Sequence, residues 1–180
     1  LRAKLGIDHA APLIVTLSAN IKGKGLHVLA HAWLRVLERL PAARWLLCGP
    51  QSDWLKCEVL PVLQAAGVQH SVCLAGALQG EAVFEHLAIA DLHVNPSLCE
   101  GLNMVTVEAA AVGTPTITTS AAGIADWVQR LGAGVVVPAG KERPLADAII
   151  SALLEPDRLQ AWSAAATTMS GEFSLDRVAG

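Results

Sequence analysis

The chain has 180 residues, of which 53% are hydrophobic, and this suits one α/β domain with a buried sheet. Its formal net charge of −3, without any basic block, argues against nucleic-acid binding, because such binding depends on neutralising phosphates. No apolar run approaches the roughly 20 residues that span a bilayer, and the first residues do not look like a signal peptide. The four cysteines form no C-x-x-C pair, so we expect free thiols and a cytoplasmic location.

Strand-like and helix-like segments alternate along the chain after residues 1–11, which we expect to form a linker with a short turn. Short apolar runs predict six strands, at residues 13–17, 45–48, 71–75, 90–94, 114–118 and 133–137. Helical spacing predicts helices at residues 26–40, 54–66, 81–90, 103–112, from 123 onwards, 145–154 and 156–170. Pro61 is expected to kink or divide the second of these helices. The alternation predicts an α/β fold with a Rossmann-like, doubly wound, largely parallel sheet and helices on both faces.

One stretch, residues 95–115, carries the most specific signal. It follows a predicted strand, contains Gly101 in a loop that needs a tight turn, continues as a helix from about Asn103, and ends at Gly113 before the next strand. Such a βαβ unit directs the free N–H groups of a helix N-terminus to the carboxyl edge of the sheet, where anionic ligands bind. We therefore predict an anion site in this loop.

Two glutamates flank the predicted anion site. Glu100 in the loop and Glu108 in the helix are eight residues apart, which at a rise of 1.5 Å per helical residue separates them by roughly 10 Å. That distance is too wide for both carboxylates to contact one atom. A long ligand with hydroxyls at both ends and phosphate between them, such as a nucleotide sugar, would fit. The alternative is that both are ordinary solvated glutamates.

The loop at residues 18–25, after the first predicted strand, is a second candidate anion site. A P-loop is rejected, because Lys24 is followed by Gly25 where Ser or Thr would hold magnesium. No G-x-G-x-x-G follows any predicted strand, so that dinucleotide fingerprint is absent as well. His27 and His31 have the spacing of a zinc pair, but no third ligand is close in sequence, and a solvent-facing pair is the favoured interpretation.

The chain resembles the retaining glycosyltransferases of family 4 and their relatives, the glycosyl transferases group 1. The resemblance rests on a motif of small and acidic residues: Glu100-Gly101, Glu108-Ala109, Gly113-x-Pro115, Gly123 and Asp126. Those enzymes have two domains in the GT-B fold, and the motif belongs to their C-terminal, donor-binding domain. The resemblance extends from about Pro12 to Asp176. It implies a nucleotide-sugar-binding domain at residues 12–172, one half of a GT-B fold, and a truncated start of the family's final crossing helix at residues 173–180.

The resemblance also implies roles for individual residues. Glu100 and Lys24 would be the catalytic residues, with Glu100 on a donor-sugar hydroxyl and Lys24 on the diphosphate. Glu108 would accept hydrogen bonds from the ribose. The other donor-binding residues would be Gly101, Asn103, Met104, Val105, Asn20, Lys22, Gly49, Ala77 and Leu78. The last two would contact the base through their backbone, so side chains do not reveal which base is bound.

Ala19 is the main departure from the family pattern. The family usually has Arg at this position, five residues before Lys24, so either Asn20 or Lys22 compensates or donor binding is weakened. No D-x-D motif is present, although transferases that hold the diphosphate through a divalent metal generally show one. The resemblance therefore implies metal-independent transfer of a hexose-type sugar from a UDP-sugar or GDP-sugar, with no cofactor.

The expected partners are a nucleotide sugar and an acceptor glycan, lipid or small molecule. The resemblance implies that the family's N-terminal acceptor-binding domain lies outside these 180 residues. We expect the whole protein to be able to associate peripherally with the inner face of the membrane through that domain. The chain alone is expected to be inactive. Two alternatives stay open, a non-catalytic subunit of the same fold, which Ala19 favours, and a nucleotide-sugar epimerase relative.

Overall fold

The six predicted strands form one sheet in the computed structural model, which describes residues 1–19 and 21–173. In chain order they are β1 (Leu13–Leu17), β2 (Arg44–Cys48), β3 (Val72–Gly76), β4 (Leu92–Asn95), β5 (Thr116–Thr119) and β6 (Gly134–Val137). Their order across the sheet is β3-β2-β1-β4-β5-β6, and every pairing is parallel. The predicted Rossmann-like α/β fold is confirmed.

Helices connect and follow the strands. They are α1 (Leu26–Arg39), α2 (Leu60–Ala65), α3 (Glu81–Ala88), α4 (Met104–Ala111), α5 (Ala125–Leu131), α6 (Glu142–Leu154) and α7 (Pro156–Gly171). A π-helical stretch, Leu55–Val59, precedes α2, so the predicted division near Pro61 is confirmed. Helix α6 starts three residues before the predicted position, since Pro144 lies in its first turn, where a missing N–H leaves no bond unmade.

Alternate residues of the central strands face opposite sides of the sheet. Ile14 and Trp45 pack on one side with residues of α1 and α6, while Leu13 and Leu46 pack on the other side with residues of α3 and α4. Both faces of the sheet are therefore apolar, as a parallel sheet covered by helices requires. None of the helices among the described residues is long and apolar enough to cross a membrane.

The first eleven residues, predicted to form a linker, pack against this domain. Arg2–Leu5 form a 3-10 helix, and Ile7 and Ala11 are buried. The Arg2 guanidinium donates to the carbonyl oxygen of Ile89 at 2.8 Å and to the carboxylate of Asp91 at 3.1 Å. Buried side chains and these bonds anchor the segment, so the structure includes it in the domain.

The predicted crossing helix at residues 173–180 lies outside the described residues except for Phe173. The Phe173 ring packs against the Trp127 ring of α5, with their centroids 4.9 Å apart. Helix α7, which precedes Phe173, packs against α4 and α5.

The strand order reverses direction between β1 and β4. These strands are neighbours in the sheet, with Ile14 paired to Leu92, although β2 and β3 intervene in sequence. The loops that follow β1 and β4 therefore leave the carboxyl edge on either side of one crevice. In open α/β sheets such a switch point is where ligands bind.

Candidate functional site

A cavity of about 340 Å³ opens at this switch point. Its volume falls within the range of about 300–1,000 Å³ typical of small-molecule sites. Nine predicted site residues line it: Lys24, Gly49, Ala77, Leu78, Glu100, Asn103, Met104, Val105 and Glu108. Six further lining residues were not predicted as site residues: Leu17, Ser18, Ala19, Cys48, Pro50 and Val83.

Three predicted residues are not among those that line the cavity. Gly101 and Lys22 are exposed and lie outside it, and Asn20 lies outside the described residues. Lys22 and Lys24 belong to one short 3-10 turn, in which residues two apart point to different sides. Lys22 therefore lies outside the lining that contains Ala19, where the family pattern expects an arginine.

The tight turn in the loop after β4 depends on Asn103 rather than on Gly101. Asn103 has φ 57 and is the one non-glycine with positive φ among the described residues. Gly101 lacks a positive φ, and a Cβ atom added there would meet nothing within 4 Å. Asparagine adopts the left-handed conformation more readily than most residues, which explains why the loop tolerates it at the helix boundary.

The loops after β1 and β4 are held together by backbone contacts. The N–H of Leu98 donates to the carbonyl oxygen of Gly23 at 2.8 Å. Gly25 has φ 67, and a Cβ atom at this position would lie 1.9 Å from the carbonyl oxygen of Pro96. Only glycine fits this approach without moving one of the loops. The contact fixes Lys24 beside Glu100.

Lys24 and Glu100 form an ion pair inside the cavity. The Lys24 Nζ lies 2.6 Å from both carboxylate oxygens, and the two side chains are 24% and 13% exposed. Ser97 Oγ and Asn103 Nδ2 contact the Glu100 Oε2 atom at 2.8 Å and 3.1 Å. Burial by itself would raise the pKa of Glu100. The hydrogen bonds from Lys24, Ser97 and Asn103 and the charge of Lys24 outweigh burial, so this pKa lies below its ordinary value.

Glu108 lines the same cavity in a different environment. It makes no hydrogen bond or ion pair with any other described residue, and burial raises the pKa of its carboxyl group. A half-buried carboxylate without donors is an acceptor that a ligand hydroxyl can satisfy.

Helix α4 begins at the cavity wall. The Asn103 Oδ1 atom accepts hydrogen bonds from the N–H of Thr106 at 2.9 Å and from its Oγ1 at 3.0 Å. Met104 and Val105 occupy the first two helical positions, whose N–H groups have no partner within a helix. Both residues line the cavity, so an anion bound there can accept from this helix N-terminus.

Three buried polar residues behind Glu100 were missed by the sequence analysis: Asn95, Ser97 and Thr118, with exposures of 5%, 0% and 0%. The Asn95 Nδ2 atom lies 3.0 Å from Thr118 Oγ1, and the Asn95 Oδ1 atom lies 2.8 Å from Ser97 Oγ. The sequence holds a partial signal, because the polar residues Asn95 and Ser97 stand at and just after the end of β4. Buried side chains of this kind need polar partners.

The histidine pair and the cysteines show no sign of chemistry at this site. The His27 ring packs edge-on against Trp54 with centroids 5.6 Å apart, and burial, His31 and Lys22 lower its pKa. No group of three or more potential ligand side chains within the described ranges could hold a metal ion. All four cysteines are free, and burial raises the pKa of the cavity-lining Cys48 to about 12, which keeps its thiol protonated.

Proteins named as glycosyltransferases match most of the chain. A profile of the family described as Glycosyl transferases group 1 matches residues 11–155. The D-inositol 3-phosphate glycosyltransferase of Segniliparus rotundus is 28% identical over 180 residues, which are 99% of this chain and 40% of that protein. The GDP-mannose-dependent alpha-(1-6)-phosphatidylinositol monomannoside mannosyltransferase of Mycobacterium tuberculosis is 29% identical over 163 residues, 86% of this chain and 41% of that protein. The chain thus spans about two fifths of the length of these curated relatives.

Solved structures share the fold. Anabaena HepE in complex with UDP and glucose superposes with a TM-score of 0.85 at 22% identity, covering 95% of this chain and 46% of that one. Sucrose-phosphate synthase from Thermosynechococcus elongatus gives 0.84 at 23% identity, covering 94% and 43%. At these identities the likeness shows the fold alone. The family profile extends over more than half of the sequence and includes both glutamates of the cavity, so the chain belongs to the Glycosyl transferases group 1 family.

Proposed function

We propose that this chain is the nucleotide-sugar donor-binding domain of a retaining glycosyltransferase, which moves a hexose-type sugar from a UDP-sugar or GDP-sugar to an acceptor. The observation that carries the proposal is that one cavity contains Lys24, Glu100, Glu108 and the start of α4. A diphosphate between two hydroxyl-bearing groups needs a cation, a helix N-terminus and a carboxylate on each side. The names of the relatives, one of them GDP-mannose-dependent, support this donor class.

In this proposal catalysis is positional and electrostatic. Breaking the glycosidic bond leaves negative charge on the nucleoside diphosphate, and Lys24 with the N–H groups of Met104 and Val105 stabilises that charge. Glu100 holds a sugar hydroxyl, and Glu108 accepts from the ribose, so the reacting bond has a fixed place between them. The same groups meet the charge of the diphosphate, and we propose that a divalent metal is not required.

Donor binding must rearrange the ion pair between Lys24 and Glu100. In the structure the ammonium group is directed at both carboxylate oxygens. A diphosphate carries more negative charge than one carboxylate and draws Lys24 towards itself. The sugar hydroxyl then replaces Lys24 as a donor to Glu100, whose contacts with Ser97 and Asn103 persist.

We propose that the acceptor, which is a glycan, a lipid or a small molecule, binds to the part of the whole protein outside this chain. The chain alone then binds donor weakly and transfers nothing. Cytoplasmic location and peripheral membrane association belong to the same proposal for the whole protein.

Calorimetry with UDP and GDP tests the proposed site. We expect Lys24→Ala to weaken binding of the preferred nucleotide by about 1–3 kcal/mol, the effect of losing a charge-assisted contact. The matched control is Lys22→Ala, because this exposed lysine lies two residues away and outside the cavity. Equal losses in the two variants, or no loss in Lys24→Ala, would place the anion elsewhere.

Ala19 favours one second candidate, a non-catalytic subunit that keeps the fold and the nucleotide site. Ala19 lines the cavity where the family pattern expects an arginine. If the site has lost turnover there, Ala19→Arg should strengthen UDP or GDP binding and restore transfer in the full-length protein. Transfer by the unaltered full-length protein would exclude this candidate, and analysis of the product would separate a transferase from an epimerase.

A further inference from the structure

We propose that Thr118, Asn95 and Ser97 form a directed hydrogen-bond relay that positions the Glu100 carboxylate. The three side chains connect the middle of β5 through the end of β4 to the cavity. They do not line the cavity, so they are positioning residues rather than catalytic ones. The inference deepens the proposed function and rests on it only where ligand binding is measured.

The Ser97 hydroxyl sets the direction of the relay. Ser97 Oγ lies 2.8 Å from Asn95 Oδ1 and also 2.8 Å from Glu100 Oε2. A hydroxyl has one proton, so it cannot make two full hydrogen bonds to two acceptors. Glu100 is ionised beside Lys24 and offers no proton of its own. One of the two contacts would therefore join two lone pairs.

The Thr118 hydroxyl points to the same conclusion from the other end. Thr118 is fully buried, and its Oγ1 atom accepts a hydrogen bond from Asn95 Nδ2 at 3.0 Å. With the amide in that orientation, no acceptor within residues 1–19 and 21–173 takes the Thr118 proton. A buried hydroxyl proton without an acceptor is costly, by about 1–3 kcal/mol.

Reversing the Asn95 amide removes both conflicts at once. The Thr118 hydroxyl then donates to the Asn95 oxygen, the Asn95 NH₂ group donates to Ser97 Oγ, and the Ser97 hydroxyl donates to Glu100. Amide oxygen and nitrogen are assigned from such networks, and only this assignment gives every short contact one proton. Thr118 and Asn95, which do not contact the carboxylate themselves, therefore fix the Ser97 hydroxyl as a donor to Glu100.

A neighbouring pair on the same two strands supplies a matched control. Thr116 Oγ1 lies 3.1 Å from His93 Nδ1, two residues before the Thr118–Asn95 pair on each strand. Both threonines are buried to the same degree. Neither Thr116 nor His93 lines the cavity, so removing the Thr116 hydroxyl tests burial without the relay.

The test is a carbon-13 NMR titration of the Glu100 carboxyl in this chain without ligand. Lys24, Glu108 and Cys48 are the other ionisable groups lining the cavity, and none is altered. We expect Ser97→Ala to raise the pKa of Glu100 most, Thr118→Val to raise it less, and Thr116→Val to leave it unchanged. Thr118→Ser keeps a hydroxyl and should restore the original titration, which guards against a Thr118→Val variant that fails to fold.

Binding of UDP and of UDP-glucose to the same variants, with GDP and GDP-mannose as the alternative probes, tests the link to function. We expect Thr118→Val to weaken the nucleotide sugar by about 2- to 10-fold, as expected for one neutral hydrogen bond, and to leave the bare nucleotide unchanged. Equal titrations in Thr118→Val and Thr116→Val would overturn the relay. If the unaltered chain binds none of these nucleotides or nucleotide sugars, the proposed function is overturned instead. The titrations would still decide the relay.

Discussion

The two carboxylates of the cavity have opposite environments. Glu100 is held by contacts from Lys24, Ser97 and Asn103, and its pKa is lowered. Glu108 has no such partner among the described residues, and burial raises its pKa. One carboxylate is fixed before any ligand arrives, and the other obtains its donors only from a ligand.

This difference fits a division of labour along one ligand. A reacting sugar must be oriented accurately, which favours a carboxylate with fixed neighbours. A ribose hydroxyl needs an acceptor, and an unpaired half-buried carboxylate gains more from that bond than an already satisfied one would. The difference lies in the loop around Glu100, because Glu108 has the regular geometry of α4.

The largest expected effect comes from breaking the contact between the loops after β1 and β4, which places Lys24 beside Glu100. Gly25→Ala should lower the free energy of unfolding by about 2–5 kcal/mol, because it adds left-handed backbone strain and a clash with Pro96. It should also separate Lys24 from Glu100 and raise the pKa of Glu100, which brings the two glutamates closer in titration. Chemical denaturation measures the stability. Gly23→Ala is the control, since a Cβ there meets nothing within 4 Å. An equal loss of stability in both variants would contradict the role of the close approach between Gly25 and Pro96.

Next in size is the separation of the glutamates by ligand. Glu108→Ala should weaken both a nucleoside diphosphate and its sugar conjugate, because the ribose is present in each. Glu100→Ala should weaken only the conjugate. Each lost bond to a carboxylate should reduce binding by about 1.5–3 kcal/mol. Competition binding on the full-length protein measures this, and equal losses for both ligand classes in both variants would refute the division of labour.

Substitution of Asn103 removes one hydrogen-bond donor from Glu100 without removing a charge. Asn103→Ala should destabilise the domain by about 1–2 kcal/mol, because it removes the helix cap and places alanine at a positive φ. Asn103→Gly relieves the backbone strain and should recover part of that loss in thermal unfolding. In both variants the pKa of Glu100 should rise through loss of the Asn103 amide contact. No difference between Ala and Gly would show that φ has no energetic weight here.

The smallest effect should be the pH dependence of stability. A lowered folded pKa means that Glu100 stabilises the domain above its ordinary value and loses this contribution as pH falls through its folded pKa. A raised folded pKa means that stability falls as pH rises from the ordinary value of Glu108 through its folded pKa. Urea unfolding measured across both pH ranges should therefore show that Glu100→Gln removes a rise in stability with pH. Glu108→Gln should instead remove a fall in stability with pH. Changes of the same sign would remove the contrast between the two residues.

Local patterns were sufficient to predict the fold and most of the cavity lining. Apolar runs and helical spacing identify all six strands and the parallel topology, because both depend on neighbours in sequence. The start of α6 was predicted three residues too late, because Pro144 falls within the first turn of the helix. The segment at residues 1–11 was judged a linker because its anchors, Ile89 and Asp91, lie far along the chain.

The detailed geometry of the site could not be predicted for the same reason. Lys24 and Glu100 are 76 residues apart, and their ion pair exists because the strand order makes β1 and β4 neighbours. Gly101 attracted attention as a glycine in a loop, yet Asn103 has the positive φ. The buried contacts of Ser97 depend on Thr118 of the next strand, which no spacing rule within one segment connects to Glu100.

The strand order has one more consequence, for dividing the chain. Strands β1 to β3 form one contiguous half of the sheet and β4 to β6 the other, joined by the single connection after β3. Lys24 and Gly49 belong to the first half, whereas Glu100 and Glu108 belong to the second. A chain cut between Gln79 and Gly80 would thus yield two halves that share the pairing of β1 with β4, the packing of α1 against α6, and the cavity. A nucleotide sugar bound there would join the halves, so their reassembly could serve as a sensor for the donor.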